Sequence, residues 1–435
     1  MSDQNSLHSE LLRELNVLGQ IFSNVEAVQK RPSELTLRRG LNETWFSDTL
    51  AWLLDPKGSH GLGVQFVNGF TNKVGELRVE GSKKSEKRCG ENEICLPYDR
   101  RASRLRFGKG GKGVVGSSLK LGNSTPIREF FLTPSTSKRG GRGVRYADVV
   151  LLDLDSGDGL FLVIENKLFT TNHPNQLEEY FEAVEDKYSR AKVREYVYLT
   201  LLGQCPVLYS KGDRKYCPYW VRMSWTEDVA DVLHMAIRSK KNASQDAREF
   251  LRLLRWLKEL TCHSMAANHS ATFHNLLLKA TVNCLVEELN RIGQPGKDAW
   301  SIVSEGVNQY KLKHSSLPKS FLNVAMLPSY SITVQGKRRK QAKFEKILIP
   351  FGAHPDQVFN LIDVAARDIY HRHFDNPSLY FGSRRRLRKT RTDQKTLYAQ
   401  LFKFMAKYRY ELQVLLTLSP FVWKSQNRAE HFEVE

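Results

Sequence analysis

The segment at residues 144–180 constrains the fold of this chain more than any other, because it contains two apolar runs that both carry acidic residues. The first run, 144–154, is rich in Val and Leu but includes Asp148. Two glycine-containing turn pairs follow at 156–159, and the second run, 160–167, reads LFLVIENK. Apolar runs on either side of such a turn predict a β-hairpin, here with ionisable groups where a buried strand normally has none.

The length of the hairpin loop decides which residues face each other across the two strands. A two-residue loop places Asp148 directly opposite Glu165, whereas a four-residue loop places Asp148 opposite Lys167. Because side chains alternate along a strand, either register brings these three residues to one face of the sheet. The Cβ atoms of directly opposed residues lie about 5 Å apart. The sequence therefore predicts two carboxylates and a lysine close together, and leaves both registers open.

This combination of side chains indicates chemistry at a metal ion. Two carboxylates at such a short distance repel each other unless a cation lies between them. Hard divalent cations such as Mg²⁺ take oxygen ligands of this kind. A lysine beside the pair can orient a water molecule or stabilise developing negative charge. The alternative is a half-exposed hairpin with a surface ion pair. Two carboxylates, a metal ion and a lysine suit the hydrolysis of phosphodiester bonds.

The residues that carry this pattern resemble a known family. Asp148 is followed seventeen residues later by Glu165-Asn166-Lys167, which resembles the signature of the PD-(D/E)XK nucleases. Ala147 stands where that signature has proline. Further along the chain, a Gln-x-x-x-Tyr pattern resembles the RecB-like exonuclease branch of the superfamily. The resemblance covers about half of the chain, from residue 41 to residue 237.

The resemblance implies a role for each signature residue. Asp148 and Glu165 are expected to bind Mg²⁺ or Mn²⁺, and the backbone carbonyl of Asn166 is expected to be a further ligand. Lys167 is expected to assist the attacking water. Glu43, at the start of a predicted helix over 42–54, is expected to complete the outer shell of the metal. An equally open interpretation of Glu43 is a first-turn acid that interacts with the helix dipole.

The Gln-x-x-x-Tyr pattern consists of Gln176 and Tyr180, which are four residues apart and so share one face of a predicted helix from Pro174 to about Lys187. The resemblance implies that these two side chains hold the nucleic acid near the metal. Packing within the protein explains the same spacing equally well.

The order of predicted elements also agrees with the resemblance. A helix, three strands, a helix and a further strand occur in the order of a restriction-endonuclease-like core, an α/β fold with a mixed sheet flanked by helices. We expect an N-terminal helix at 1–40, the nuclease-like domain at 41–260 with a basic insertion at about 80–127, and a C-terminal α+β accessory domain at 271–435. That last domain is basic, and no second set of catalytic residues is predicted in it.

Positive charge is concentrated in two stretches of the chain. The formal net charge is +19; residues 81–145 contribute +11 (16 Lys and Arg against 5 Asp and Glu) and residues 331–410 contribute +12 (18 against 6). Localised positive charge favours a polyanionic partner such as nucleic acid, although such stretches can also be solvated loops. The basic residues predicted to contact nucleic acid are Arg145, Lys337, Arg338, Arg339, Arg384, Arg385 and Arg386.

Other sequence features bear on the location of the protein. No apolar run reaches 18 residues, so we expect no membrane span, and the N-terminus has no secretory pattern. The six cysteines are scattered without CxxC pairs, which is typical of reduced thiols in a cytoplasmic protein.

The sequence therefore predicts a Mg²⁺- or Mn²⁺-dependent nuclease that acts on nucleic acid, with DNA favoured over RNA. The alternatives are a non-catalytic nucleic-acid-binding or assembly protein on a nuclease-like scaffold, and an RNA-cleaving enzyme with the same site. Oligomerisation and a partner protein are left open. A role in defence against foreign DNA is a hypothesis drawn from the general habits of such nucleases.

Overall fold

The structure of the chain is a computed structural model. It describes residues 2–28, 31–39, 42–83, 87–88, 94–95, 121–132, 145–153, 159–168, 172–188, 191, 193–209, 211–262, 264–292, 300–306, 309–315, 320–326, 330–336, 346–349, 400–401, 403–412 and 414–415. The chain divides into two compact units: Gln29–Glu259 lie in one, and Met1–Val28 with Leu260–Trp423 lie in the other.

The helices of the described residues are α1 (Ser2–Val28), α2 (Glu34–Arg38), α3 (Glu43–Leu54), α4 (Val64–Lys83), α5 (Gln176–Lys187), α6 (Lys211–Tyr216), α7 (Ala230–Ser239), α8 (Gln245–Cys262) and α9 (Ser264–Ile292). The strands are β1 (Lys87–Arg88), β2 (Ile94–Cys95), β3 (Thr125–Leu132), β4 (Arg145–Asp153), β5 (Leu160–Lys167), β6 (Val193–Thr200), β7 (Trp220–Ser224), β8 (Trp300–Gly306), β9 (Gln309–His314), β10 (Ser320–Met326), β11 (Tyr330–Gly336) and β12 (Lys346–Ile349).

A mixed five-stranded sheet forms the centre of the first unit, in the order β3-β4-β5-β6-β7. The β3–β4 and β4–β5 pairs are antiparallel, whereas the β5–β6 and β6–β7 pairs are parallel. Strands β5 and β6 are buried along their whole length; β5 is apolar from Leu160 to Ile164, whereas β6 also buries Arg194 and Glu195. Helices flank the sheet, and the predicted restriction-endonuclease-like α/β core is confirmed.

The hairpin of β4 and β5 adopts the first of the two registers that the sequence left open. Val149 pairs with Ile164 and Asp153 pairs with Leu160, which is the register that sets Asp148 against Glu165. The loop itself, 154–158, lies outside the described residues.

Helices α3 and α5 hold this hairpin from its two sides. Phe46 and Leu50 of α3 are fully buried, and α3 packs on β3, β4 and β5. Leu177 and Val184 of α5 are fully buried in a core cluster that includes Val163 of β5. Asn42 starts α3 as its N-cap, because its side chain accepts a hydrogen bond from the backbone N–H of Trp45 at 2.7 Å.

In the second unit, β8 to β12 form an antiparallel sheet in sequence order, which agrees with the alternation of apolar and polar residues over 301–350. The stretch 261–270, between the two expected domains, has no glycine or proline to end a helix, and α9 already begins within it at Ser264. The sequence also predicts a helix at 354–373, which lies outside the described residues, as does the basic run at 383–389.

Two further expectations concern cysteines and membranes. Cys217 is a buried free thiol, whereas Cys205 is disulfide-bonded, so the expectation of reduced thiols is wrong at Cys205. The spacing of cysteines along a chain does not determine which sulfur atoms meet in the fold. Within the described part of the chain, no helix has the length and apolar character needed to cross a membrane.

Candidate active site

The candidate site lies where two neighbouring strands separate. The pairing of β4 with β5 reaches Val149 and Ile164 and then ends, while β4 continues beside β3 and β5 continues beside β6. At this point the backbone N–H of Asn166 donates to Oδ2 of Asp148 at 2.8 Å. The side chain of Asp148 therefore takes the place of a backbone acceptor and is held at the open end of the hairpin, beside Glu165.

The two carboxylate oxygens of Glu165 have different surroundings. Oε1 lies 2.7 Å from Nζ of Lys167 and accepts a hydrogen bond from Nε2 of Gln176 at 2.6 Å. Oε2 is buried and has no hydrogen-bond partner in the structure. Because Glu165 is only 1% exposed, one oxygen is saturated with donors and the other is left for a positive group.

Burial and mutual repulsion keep the two acids from ionising easily. Burial and, after it, the negative charge of Asp148 raise the pKa of Glu165 to about 8, against the opposing effect of Lys167. Burial also raises the pKa of Asp148, again opposed by Lys167. For Lys167, burial lowers the pKa, but the nearby carboxylates outweigh burial and the pKa is raised overall. The acids therefore favour a cation nearby, and the lysine stays protonated.

Gln176 and Tyr180 are buried and connect α5 to both strands of the hairpin. Gln176 donates from Nε2 to Glu165, and the same nitrogen lies 3.1 Å from the hydroxyl of Tyr180. Tyr180 in turn donates its hydroxyl proton to the backbone carbonyl of Tyr146 at 2.6 Å. The side chains are only 4% and 3% exposed, so their observed partners lie within the protein. Their predicted contact with nucleic acid stays a prediction.

Glu43 lies beside the end of β5, where its Oε1 accepts a hydrogen bond from the backbone N–H of Leu168 at 3.1 Å. Its negative charge also acts on both Asp148 and Lys167. The structure therefore brings Glu43 close to the signature residues, and its role in the outer shell of a metal ion stays a prediction. A side chain that holds the chain just after Lys167 helps to fix the position of that lysine.

The side chain of Asn166 ties the signature to elements that the sequence did not connect with it. Its Nδ2 donates to the Ser47 hydroxyl at 2.9 Å and to the backbone carbonyl of Glu43 at 3.1 Å. Its Oδ1 accepts from Nε1 of Trp225 at 2.8 Å. Since Asn166 faces α3 while its neighbour Glu165 faces α5, the two helices cover opposite faces of β5. Ser47 is four residues after Glu43 and so was detectable by helical spacing, whereas nothing in the sequence marked Trp225.

Arg128 of β3 was also missed. Its Nη1 donates to the backbone carbonyl of Asp148, and its Nε lies 2.6 Å from Oδ1 of Asp48. The next residue, Glu129, has a φ of 46°, and the β3–β4 pairing is interrupted there. Arg128 thus holds the backbone of Asp148 at a position where regular strand pairing fails.

None of the basic residues predicted to contact nucleic acid has a side chain that the structure describes. Arg145 begins β4, three residues before Asp148, and its side chain is not described. Lys337, Arg338, Arg339, Arg384, Arg385 and Arg386 lie outside the described residues.

The donor set fits a divalent metal ion of the hard type. Among the described residues, no three Asp, Glu, His or Cys side chains converge closely enough to form a complete metal cage. Mg²⁺ does not need one, because it is usually held by one or two carboxylates together with water and substrate phosphate. A buried carboxylate oxygen without a partner, next to a second acid, matches that requirement.

The fold and the site together define the class: a restriction-endonuclease-like α/β protein with two acids and a lysine at the open end of its central hairpin. The sequence model of the PD-(D/E)XK nuclease superfamily matches residues 35–253, and the chain belongs to this superfamily. Comparison with curated proteins found no match, and comparison with solved structures found none either.

Proposed function

We propose that this protein is a nuclease that depends on Mg²⁺ or Mn²⁺ and hydrolyses phosphodiester bonds in nucleic acid, with DNA favoured over RNA. The observation that carries the proposal is the state of Glu165, whose Oε2 is buried without a partner while Oε1 is held by two donors. Most buried polar side-chain atoms are hydrogen-bonded, so an unpaired carboxylate oxygen beside a second acid supports a bound cation at this position.

Each residue of the candidate site has a proposed role. Asp148, Glu165 and the backbone carbonyl of Asn166 would hold the metal ion, with Glu43 in the outer shell. When bound, such an ion polarises a phosphoryl oxygen and lowers the pKa of a coordinated water. Lys167 is 9% exposed and protonated, so it can orient a water molecule and stabilise the negative charge that develops on the phosphate.

The C-terminal unit is proposed to be an accessory domain, and its basic residues 337–339 and 384–386 to contact nucleic-acid phosphates. Net positive charge over 331–410 supports this assignment. A partner protein and a role in defence against foreign DNA are further hypotheses.

A cleavage assay tests the proposal. The full chain is incubated with supercoiled plasmid, linear duplex, single-stranded DNA and RNA, each with Mg²⁺, Mn²⁺ or EDTA. Asp148→Ala runs in parallel, and Asp231→Ala, an exposed acid on α7, is the matched control. We expect metal-dependent cleavage that Asp148→Ala abolishes and the control keeps. The preferred substrate distinguishes a DNA-cleaving from an RNA-cleaving enzyme.

The role of Lys167 is tested separately. Lys167→Ala is expected to lower cleavage by at least about 10²-fold and to keep nucleic-acid binding, because its charge acts on the transition state. Lys215→Ala, which removes an exposed lysine on α6, is expected to change neither. Cleavage by Lys167→Ala at the wild-type rate would show that this lysine is only structural.

One observation favours a non-catalytic scaffold as a second candidate: no three metal-ligating side chains converge among the described residues. Titration calorimetry with Mn²⁺ distinguishes the two. An active site should bind Mn²⁺ in a manner that Asp148→Ala weakens. An inert scaffold would bind nucleic acid without binding Mn²⁺ or cutting.

A further inference from the structure

Two aromatic side chains are exposed together beside the candidate active site. Phe131 of β3 lies directly opposite Tyr146 of β4, and their ring centroids are 5.5 Å apart. Phe131 is 46% exposed and Tyr146 is 52% exposed. Neighbouring exposed aromatic rings are unusual on a protein surface and commonly mark a place of contact with another molecule.

The pair is close to the carboxylates. Tyr146 is two residues before Asp148, a distance of about 7 Å along a strand. It lies beyond the last β4–β5 pair, on the β3–β4 side of the opening that holds the acids. Its backbone carbonyl is held by Tyr180, which is linked through Gln176 to Glu165. The backbone of Tyr146 and the proposed metal ligand Glu165 are therefore linked through Tyr180 and Gln176.

The exposure of Phe131 follows from the irregularity in β3. Glu129 has a φ of 46°, which is rare for a residue with a side chain. After it, Phe130 packs inward, with ring centroids 5.8 Å from both Phe161 and Tyr188. Phe131 is thereby directed away from the core. A strained residue that persists beside a site is one way in which a fold positions functional side chains.

We propose that Phe131 and Tyr146 form a stacking surface for an unpaired base next to the scissile phosphate. The inference rests on the proposed nuclease function and narrows its substrate to single-stranded or locally unpaired nucleic acid. Aromatic side chains stack on bases without regard to sequence, because every base has a π-face. Bases inside a duplex are already stacked on their neighbours, so they have no free face to stack on the exposed rings.

The test measures binding in EDTA, where a metal-dependent site cannot cut. The probes are a single-stranded DNA and a single-stranded RNA that contain 2-aminopurine, whose fluorescence falls when the base stacks, and the DNA duplex of the same sequence. Phe131→Leu combined with Tyr146→Leu removes both rings and keeps apolar character. Tyr146→Phe keeps the ring, and Met235→Ala removes an exposed apolar side chain on α7.

We expect the wild-type protein, Tyr146→Phe and Met235→Ala to bind and quench the single strands alike. The double leucine variant should bind them about tenfold more weakly or worse and lose the quenching, while its duplex affinity changes less than twofold. Equal effects of the DNA and RNA arms are consistent with stacking; an effect on one arm alone identifies the substrate.

Wild-type quenching and affinity in the double leucine variant would overturn the stacking surface and leave the nuclease proposal untouched. Conversely, a wild-type protein that quenches the probes but never cuts with metal would count against the nuclease and keep the surface. If the wild-type protein self-associates and the double variant is monomeric without any change in single-strand binding, the pair is a contact between copies of this chain and the proposal is wrong.

Discussion

At the scale of single residues, Glu165 shows how the site differs from an ordinary protein core. An acid that is 1% exposed and has one unpaired oxygen is costly to keep ionised, and its pKa is raised to about 8 by burial and by Asp148. Natural proteins keep such groups where function requires them. The cost should be measurable in the metal-free protein.

The pH dependence of stability tests this cost. Because the pKa of Glu165 is higher in the folded state than its unperturbed 4.5, the folded state holds the proton more tightly. The contribution of Glu165 protonation to the free energy of unfolding is therefore fully present below about pH 4.5 and is lost as the pH rises through about 8. In EDTA, Glu165→Gln should raise the free energy of unfolding by about 1–3 kcal/mol at pH 8.5 and by little at pH 5.

Urea unfolding of both proteins at the two pH values provides the measurement. If the free energy of unfolding changes equally with pH in wild type and Glu165→Gln, folding does not raise the pKa of Glu165 and the prediction is wrong. Asp231→Asn, which changes an exposed acid, is the matched control.

At the scale of elements, α5 is joined to the hairpin by hydrogen bonds as well as by apolar packing. Gln176 donates a hydrogen bond to Glu165, and Tyr180 donates one to the backbone carbonyl of Tyr146 in β4. The position of one helix thus determines how Glu165, the proposed metal ligand, is oriented. Hydrogen-bond partners of metal ligands commonly have this effect.

Gln176→Leu should remove this orientation without removing any ligand. We expect Mn²⁺ affinity and the cleavage rate to fall about 10- to 100-fold, the range typical of outer-shell changes. Asp186→Ala, at an exposed position of the same helix, should have no effect. Mn²⁺ affinity is measured by calorimetry and folding by thermal unfolding. A Gln176→Leu protein that loses nucleic-acid binding but keeps Mn²⁺ affinity would instead support the nucleic-acid contact that the family resemblance implies.

The loop before α4 depends more on Gly61 than on Gly63. Gly61 has a φ of 72°, and a Cβ there would overlap the backbone carbonyl oxygen of Asn242. Gly63 has a φ of 57° but no atom within 4 Å of the same added Cβ. Gly63→Ala should therefore cost about 1–2 kcal/mol, the penalty of the left-handed backbone alone. Gly61→Ala should cost more, about 2–4 kcal/mol, because the clash is added. Equal losses in urea unfolding would mean that the loop relaxes freely.

The sequence predicted the elements better than the contacts between them. The two apolar runs and the turn pairs between them identified the hairpin, and the loop length restricted its register to two choices. Helical spacing placed Gln176 beside Tyr180 but could not show that both face inward. Trp225 and Arg128 reach the site from distant positions in the chain, and such pairing leaves no periodic signal. The kink at Glu129 was not predicted either, because its residue type gives no indication of a positive φ.

At the scale of the whole molecule, the net charge of +19 determines how binding responds to salt. Each phosphate contact made by Lys or Arg releases counterions, so affinity falls steeply as salt increases. Replacing Lys337, Arg338 and Arg339 together by serine should lower the slope of log affinity against log salt by about 3 for duplex DNA. The cleavage rate at saturating substrate should stay unchanged.

Lys240→Ser with Lys241→Ser is the control, since both lysines are exposed on the nuclease-like unit. The slopes are measured by fluorescence anisotropy between low and high salt. An unchanged slope in the triple variant would show that these basic residues are solvated and do not contact phosphate.

The separation of β4 from β5 has a spectroscopic consequence. The backbone amide of Asn166 points to a carboxylate oxygen of Asp148 at 2.8 Å, where a regular strand would offer it a neutral carbonyl. The chemical shift of that single amide proton is therefore sensitive to the charge on Asp148, since a charged acceptor forms the shorter and stronger hydrogen bond. In a nitrogen–proton correlation spectrum, this one peak therefore reports the charge on Asp148 in the candidate active site, without substrate and without turnover.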